Sequence, residues 1–437
     1  MEGILFIMGI YSTVVSSALG LIIILNEILR TKKTKPVDIL TGVNVLFFLS
    51  FVIPPFSYYF WDIETTKWAH IVNLNNGSSL IATFYSLIGY LMLIAGYHFW
   101  GKLNLSKKTP SNFELNESKI EKFAHFLGII GIVFLVIFIY FIGGISNFFS
   151  TNTLYRSGSI DVSPFAFIRN LALFIPLSCQ IFYCLYKFYD KRLLNKYHIL
   201  FIFYFILSLS LYFNRATRMG LLVFLISFFV INAIYYRKSI VKYIPIIIIL
   251  FLTFLFYGKR FYNFFVLDEF TISDVDVNID IFINQFSFPF FTLTNAIDNS
   301  FFNNTPRLFM DFIYGILNLF PTIILPFDVP KNITQLNSDF FSMGIPIDLI
   351  SLGYYSFGIS GIIIITFLFG MFIKVIENIL MDKKNILTLV FYTQFIFFIS
   401  LRIPYAGPTN VLKSNICLLI SFIIYIFVFE KKSVKKF

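Results

Sequence analysis

Apolar residues fall in long blocks along this chain, and most of the blocks are about as long as a bilayer is thick. A helix needs roughly 20 mostly apolar residues to cross the hydrocarbon core. Blocks near that length lie at residues 3–25, 39–60, 78–97, 123–143, 164–186, 198–213, 219–236, 243–257, 345–373, 386–401 and 411–429. They predict an all-α polytopic membrane protein with about 11 transmembrane helices. The block at 198–213 is short, and Pro54 with Pro55 is expected to kink the second helix without ending it. The first block lacks a basic leader and reads as a retained first helix. No internal repeat and no linker divides the sequence, so residues 1–437 read as a single integral membrane domain.

One hydrophilic excursion, residues 258–344, breaks the rhythm and predicts a large external loop. It opens on Gly258, Lys259 and Arg260, continues through an acidic stretch (Asp268 to Asp280), and then carries aromatic pieces at Phe282–Phe291. Within it, Leu308–Leu325 is apolar but holds Asp311, Gly315 and Pro321. Counting that stretch as a full crossing would put the basic tail outside. It is therefore expected to be an interfacial or re-entrant helix.

Composition strengthens the membrane assignment. The chain is 58% hydrophobic, 13% charged and has a mean hydropathy of +0.81, whereas soluble domains carry about 25% charged residues. The net charge of +11 does not point to nucleic acid, because it is confined to alternate loops. One set of loops (26–38, 98–122, 187–197, 237–242, 374–385 and the tail from Glu430) holds 23 of the 34 Lys and Arg residues. Net charge is +14 on that side and −3 on the other. The basic side is expected to be cytoplasmic, which puts the N-terminus outside and the C-terminus inside.

Lysine and arginine are distributed differently. Twenty of 24 lysines fall on the expected cytoplasmic side, while seven of ten arginines fall outside: Arg156, Arg169, Arg215, Arg218, Arg260, Arg307 and Arg402. The positive-inside rule treats the two residues alike. Guanidinium differs by its planar fork, which grips phosphate or carboxylate at two points, so the external set reads as an anion-binding set. Snorkelling to lipid headgroups is the plainer alternative for any one of them. Arg215 and Arg218 stand out, because Asn214 to Arg218 is the whole connection between two apolar blocks. Asn214 or Thr217 is placed to cap the helix from Met219, whose N-terminus also favours an anion. Asp339 and Asp348 precede the longest block; either is placed to deprotonate a sugar hydroxyl or to pair with an external arginine.

No phosphate-binding loop, zinc-protease helix or paired-cysteine motif appears, so neither a nucleotide nor a metal is expected as cofactor. Cys179, Cys184 and Cys417 lie in apolar blocks and suggest no disulfide framework. Of four histidines only His70 is expected outside, and none follows His198.

Two stretches resemble the bacterial oligosaccharide repeat-unit polymerases of O-antigen and capsule assembly, the Wzy type. Arg215–Leu222 is similar to the start of a central helix in that family. In Gly344–Gly361, Tyr354, Phe357, Gly358 and Gly361 resemble its Tyr-x-x-Phe-Gly-x-x-Gly entry into a late helix. The resemblance implies a GT-C-like membrane glycosyltransferase in the cytoplasmic (inner) membrane. Its substrates would be undecaprenyl-diphosphate-linked oligosaccharides, and its partners membrane lipids, a chain-length regulator and a flippase. It also implies roles: Arg215 and Arg218 on the departing diphosphate, Asp339 as base, and Arg156, Arg169, Lys259, Arg260, Arg307, Arg402 and Tyr354 in binding. The related O-antigen ligases use a histidine in the late external loop, and this chain has none there. A flippase or transporter for a lipid-linked sugar is the alternative. It predicts charges buried mid-helix and pseudo-repeated halves with broken helices, whereas the charges here fall at the ends of the apolar blocks and one external loop is lopsided.

Overall fold

Apolar runs this long satisfy their own backbone only as helices, and helices are what the computed structural model contains. It describes residues 2–30, 37–60, 77–102, 117–148, 166–189, 195–215, 218–237, 240–267, 279–298, 306–317, 333, 347–381 and 385–430, with no strand among them. Among the described residues, eight helices are long and apolar enough to cross a membrane. Three shorter apolar helices, Met219–Tyr235, Ile244–Phe254 and Ile416–Val428, stand at the other expected crossings. The chain divides into two compact units.

The first unit contains residues 1–109, 277–381 and 395–413. It begins with α1 (Glu2–Leu29), then α2 (Ile39–Phe47), which continues through a π-helical turn at Phe48–Val52 into α3 (Ile53–Phe60). The wide turn directly precedes Pro54 and Pro55, which is how the helix accommodates them. Next comes α4 (Ser78–Lys102). Ser12 bonds Thr83 at 2.9 Å and Asn26 donates to Tyr90 at 3.1 Å, so α1 and α4 run parallel.

Three later elements complete the unit. Helices α11 (Ile279–Asp298) and α12 (Met310–Leu317) lie inside the excursion expected to be a loop. Far from being a surface loop, the centre of α11 is buried on all sides: Phe286, Ser287, Phe288, Phe290, Phe291, Thr292 and Leu293 are all inside. A helix apolar all round is a core helix. Helix α13 (Leu349–Met381) is broken at Phe357 and Gly358, where Gly358 has φ +62. The break reverses the chain. Gly353 and Gly361 come together so closely that a Cβ on Gly353 would lie 2.8 Å from the Gly361 carbonyl oxygen. Residues 349–356 therefore form a half-helix folded back against the second limb, 359–381.

That second limb packs along α4 with almost no side chain between them. A Cβ on Gly96 would overlap the Phe367 carbonyl, and one on Gly370 would overlap that of Leu93. Small residues allow such backbone approach, the usual basis of close helix pairing in membranes. The pairs 89–362, 96–367 and 97–377 advance together, so these helices are parallel too.

The second unit contains residues 110–276, 382–394 and 414–437. Its described helices are α5 (Glu117–Phe141), α6 (Ala166–Leu171), α7 (Phe174–Phe188), α8 (Lys196–Asn214), α9 (Arg218–Tyr235) and α10 (Ile244–Leu267). The start of α14 (Ile386–Phe397) and α16 (Ile416–Tyr425) also belong to it, while α15 (Ile403–Ser414) lies almost wholly in the first unit. Ser178 bonds the Ala124 carbonyl at 2.8 Å, and the Tyr204 ring lies so close to Gly128 that a Cβ there would overlap it. At one end Tyr197 donates to Glu117 at 2.6 Å and Lys196 to Glu121 at 2.9 Å, tying α8 to α5.

Candidate functional sites

The first candidate lies in the second unit, at the connection between α8 and α9. Arg215 closes α8, its N–H bonded to the Leu211 carbonyl at 3.1 Å. Asn214 does not cap α9. It is 2% exposed, and its amide donates to the Phe148 carbonyl in a short bond. Phe148 packs edge-on against Phe138, and the Arg169 guanidinium lies 5.8 Å from the Phe138 ring centre. Beside Arg169, the carbonyls of Asn170 and Leu171 accept from the Cys417 thiol at 3.1 and 3.3 Å. Arg215 lies within electrostatic range of that same thiol. Arg215 and the backbone directly after Arg169, 46 positions apart in sequence, thus both border Cys417. Arg218 begins α9, at the N-terminal end where backbone N–H groups have no partner within the helix; its side chain lies outside the described residues.

The second candidate is the half-helix of the first unit. Asp348 caps it and is 0% exposed. One carboxylate oxygen accepts from the N–H groups of Ile350 and Ser351 at 2.9 and 3.0 Å. The other accepts from the Thr292 hydroxyl of α11 at 2.8 Å and, in a short bond, from the Ser351 hydroxyl. The sequence left open a base or a partner for an external arginine; its hydrogen bonds give Asp348 a third role. Four donors occupy the carboxylate's strong acceptor directions, so it functions as a cap and an inter-helix tie. The adjoining Ile350 side chain lies 3.3 Å from where a Cβ on Gly89 would stand, near the middle of α4. The carboxylate is therefore at mid-depth in the bundle, where an ionisable group is costly and usually functional.

Pro289 shapes the same region. Inside α11 it has no N–H to give the Gln285 carbonyl, four residues back. The Tyr405 hydroxyl of α15 donates to that carbonyl in a short bond, and the Tyr405 ring stands edge-on to Phe288 at 4.1 Å. Gly407, at φ +68, leaves room for the Ile347 carbonyl leading into the half-helix.

The other sequence-derived residues distribute as follows. Arg307 is held at two points by Asp311, at 2.8 and 3.2 Å, and Asp311 also accepts from the Ile333 N–H at 2.9 Å. Its fork is thus engaged within the protein. Tyr354 packs against Tyr85 with ring centres 5.7 Å apart. Arg402 ends a π-helical turn at Phe398–Arg402 in the first unit. Lys259 and Arg260 do not open a loop: α10 carries the backbone on to Leu267, and their side chains lie outside the described residues. Arg156, Asp339 and Gly344 lie outside the described residues.

A third polar cluster escaped the sequence reading. At the far end of α1, Arg30 donates to Glu27 at 2.8 Å, Asp38 at 3.0 Å and Thr41 at 3.1 Å. Across from it Tyr97 donates to Glu377 at 2.6 Å and accepts from Lys374 at 3.2 Å. The Glu377 side chain is 0% exposed. Among the described residues, no group of three or more His, Cys, Asp or Glu is arranged to hold a metal ion.

Compared with known proteins, the chain matches no family model, no curated protein and no solved structure.

Proposed function

We propose that this chain is a membrane glycosyltransferase that joins undecaprenyl-diphosphate-linked oligosaccharide repeat units on the outer face of the cytoplasmic membrane. The observation that carries the reading is that Cys417, which bonds the backbone carbonyls directly after Arg169, also lies within electrostatic range of Arg215, close in sequence to the start of α9. That start, Arg215–Leu222, is one of the two stretches that resemble the polymerases. Two guanidinium groups and a helix N-terminus would bind a diphosphate and stabilise it as it leaves. The donor is already activated, so no nucleotide is needed. With Asp348 engaged by four donors, the base is assigned to Asp339, and the acceptor hydroxyl would lose its proton there as the new glycosidic bond forms.

Deletion of the gene, followed by gel analysis of surface polysaccharide, tests the class. Single repeat units without a ladder support polymerisation. Arg218→Lys and Arg215→Lys keep the charge but lose the two-point grip, so each is expected to shorten or abolish the ladder while membrane insertion persists. Normal chain length in both variants would overturn the diphosphate role.

A flippase is the second reading, favoured by the half-helix ending at a mid-depth carboxylate. It predicts that deletion removes surface units altogether.

A further inference from the structure

We propose that α12 and the tip of α13 together form a membrane-boundary surface, seated among phospholipid headgroups and upper acyl chains. The surface is built from Leu308, Met310, Ile313 and Ile316 beside Phe357 and Ile359, each 38–56% exposed. These two segments are one structure. The Arg307 and Leu308 N–H groups donate to the Tyr355 and Ser356 carbonyls at 3.1 and 3.4 Å, closing the open end of the half-helix. Phe309 then packs on Phe357, ring centres 5.3 Å apart. Leu308 and Phe309 both hold left-handed backbone, at φ +51 and +57. Non-glycine residues adopt that conformation at a cost, and here it turns the chain into α12 with the apolar face outward.

Helix α12 is two-sided. Asp311 and Gly315 face inward and are buried, while Met310, Ile313 and Ile316 are exposed. Among the described residues, the cation beside α12 is Arg307, which is gripped at two points by Asp311 and stands 5.9 Å from the Tyr314 ring. A paired arginine and carboxylate are cheaper to remove from water than a lone charge, and a tyrosine with an arginine beside it is the usual composition of a membrane boundary.

Continuity identifies the occupant as lipid and not another protein. The exposed stripe runs on from Ile359 along the second limb of α13 through Ile364, Leu368 and Phe372. That limb belongs to a candidate membrane span. Residues 359–380 rise about 33 Å at about 1.5 Å each, against about 30 Å of hydrocarbon. Its first residue therefore stands at one boundary, and α12 is tied there. The placement holds whether the chain polymerises or transports, since it rests on neither reading.

The test uses the full chain in phospholipid nanodiscs. Single-cysteine variants Ile313→Cys, Ile316→Cys and Phe357→Cys carry an environment-sensitive fluorophore, with Lys196→Cys as the water-exposed reference. The native cysteines are buried and give little background. Ile313 and Ile316 are exposed, so those variants are expected to elute as wild type does, while Phe357→Cys gives up only the ring contact with Phe309 and is read once its elution matches theirs. Lipids bearing a nitroxide near the headgroup are expected to quench all three labels, with blue-shifted emission and little quenching by iodide. Iodide quenching equal to that at position 196 would overturn the proposal. So would protection from both quenchers, which would mean a protein covers the face.

Discussion

Asp348 offers the sharpest separation of structure from chemistry. Replacing it with alanine removes one acceptor shared by Ile350 N–H, Ser351 N–H and the Thr292 and Ser351 hydroxyls. The Thr292 hydroxyl already lies 3.0 Å from the Phe288 and Pro289 carbonyls and can turn to them. The two backbone donors have no such freedom. An orphaned buried donor costs about 1–3 kcal/mol, so Asp348→Ala should lose about 2–6 kcal/mol. Asparagine keeps an oxygen toward both N–H groups and is itself a good N-cap; its amide can donate to the hydroxyls, which reverse their role. The remaining loss is that of charge assistance, about 1–2 kcal/mol. Thermal unfolding of the detergent-purified protein should therefore rank wild type above Asn, and Asn well above Ala. On the proposed polymerase reading, polysaccharide length should follow the same order, with Asp348→Asn retaining function. An Asn variant that melts like wild type yet makes no polymer would refute the cap and make the carboxylate a chemical participant.

Other perturbations test neighbouring parts of the argument. Gly96→Ala would drive a methyl group into the Phe367 carbonyl, backbone against backbone, and separate α4 from α13 where Tyr97 bonds Glu377. Overpacking of about 1–3 kcal/mol and a lost charged hydrogen bond of about 1.5–3 kcal/mol should lower the melting temperature well below wild type; an unchanged midpoint would contradict the helix contact. Tyr405→Phe should cost about 1–3 kcal/mol by orphaning the Gln285 carbonyl, whereas Pro289→Ala restores an N–H to it. The double variant is then expected to be more stable than the Tyr405→Phe single variant, and additive losses would count against this account. Arg307→Ala leaves the Asp311 carboxylate buried with only one described donor, at a cost of about 3 kcal/mol. Adding Asp311→Asn should recover part of that loss in the same melting assay, and no recovery would argue against the ion pair.

The membrane-spanning helices were legible because the bilayer imposes a length, and a single sequence records length directly. What stayed hidden depended on pairs. The Phe282–Phe291 stretch read as loop because Asn284, Gln285 and Ser287 within it, and Thr292 and Asn295 just after it, dilute the local hydropathy. In the fold Thr292 bonds Asp348 and Gln285 meets Tyr405, so these polar groups are affordable inside. The long block at 345–373 held a warning in its length, well beyond the roughly 20 residues a crossing needs. Its excess is the half-helix, and Gly358 with the Gly353–Gly361 contact marks the reversal. Asp348 followed by Ser351 had the form of a helix cap, yet its mid-depth position needed Gly89 to reveal it.

Sidedness had the same weakness when used alone to group the arginines. It treated Arg307 and Arg215 as equivalent, although an acid four residues on from Arg307 is the spacing of a helical ion pair. An arginine whose fork is filled by its own helix tightens the fold. Phosphate recognition is better sought where an arginine stands at a helix junction with another arginine brought in from a distant segment. Arg215 stands at such a junction, and Cys417 of a third segment both bonds the backbone carbonyls directly after Arg169 and lies within electrostatic range of Arg215.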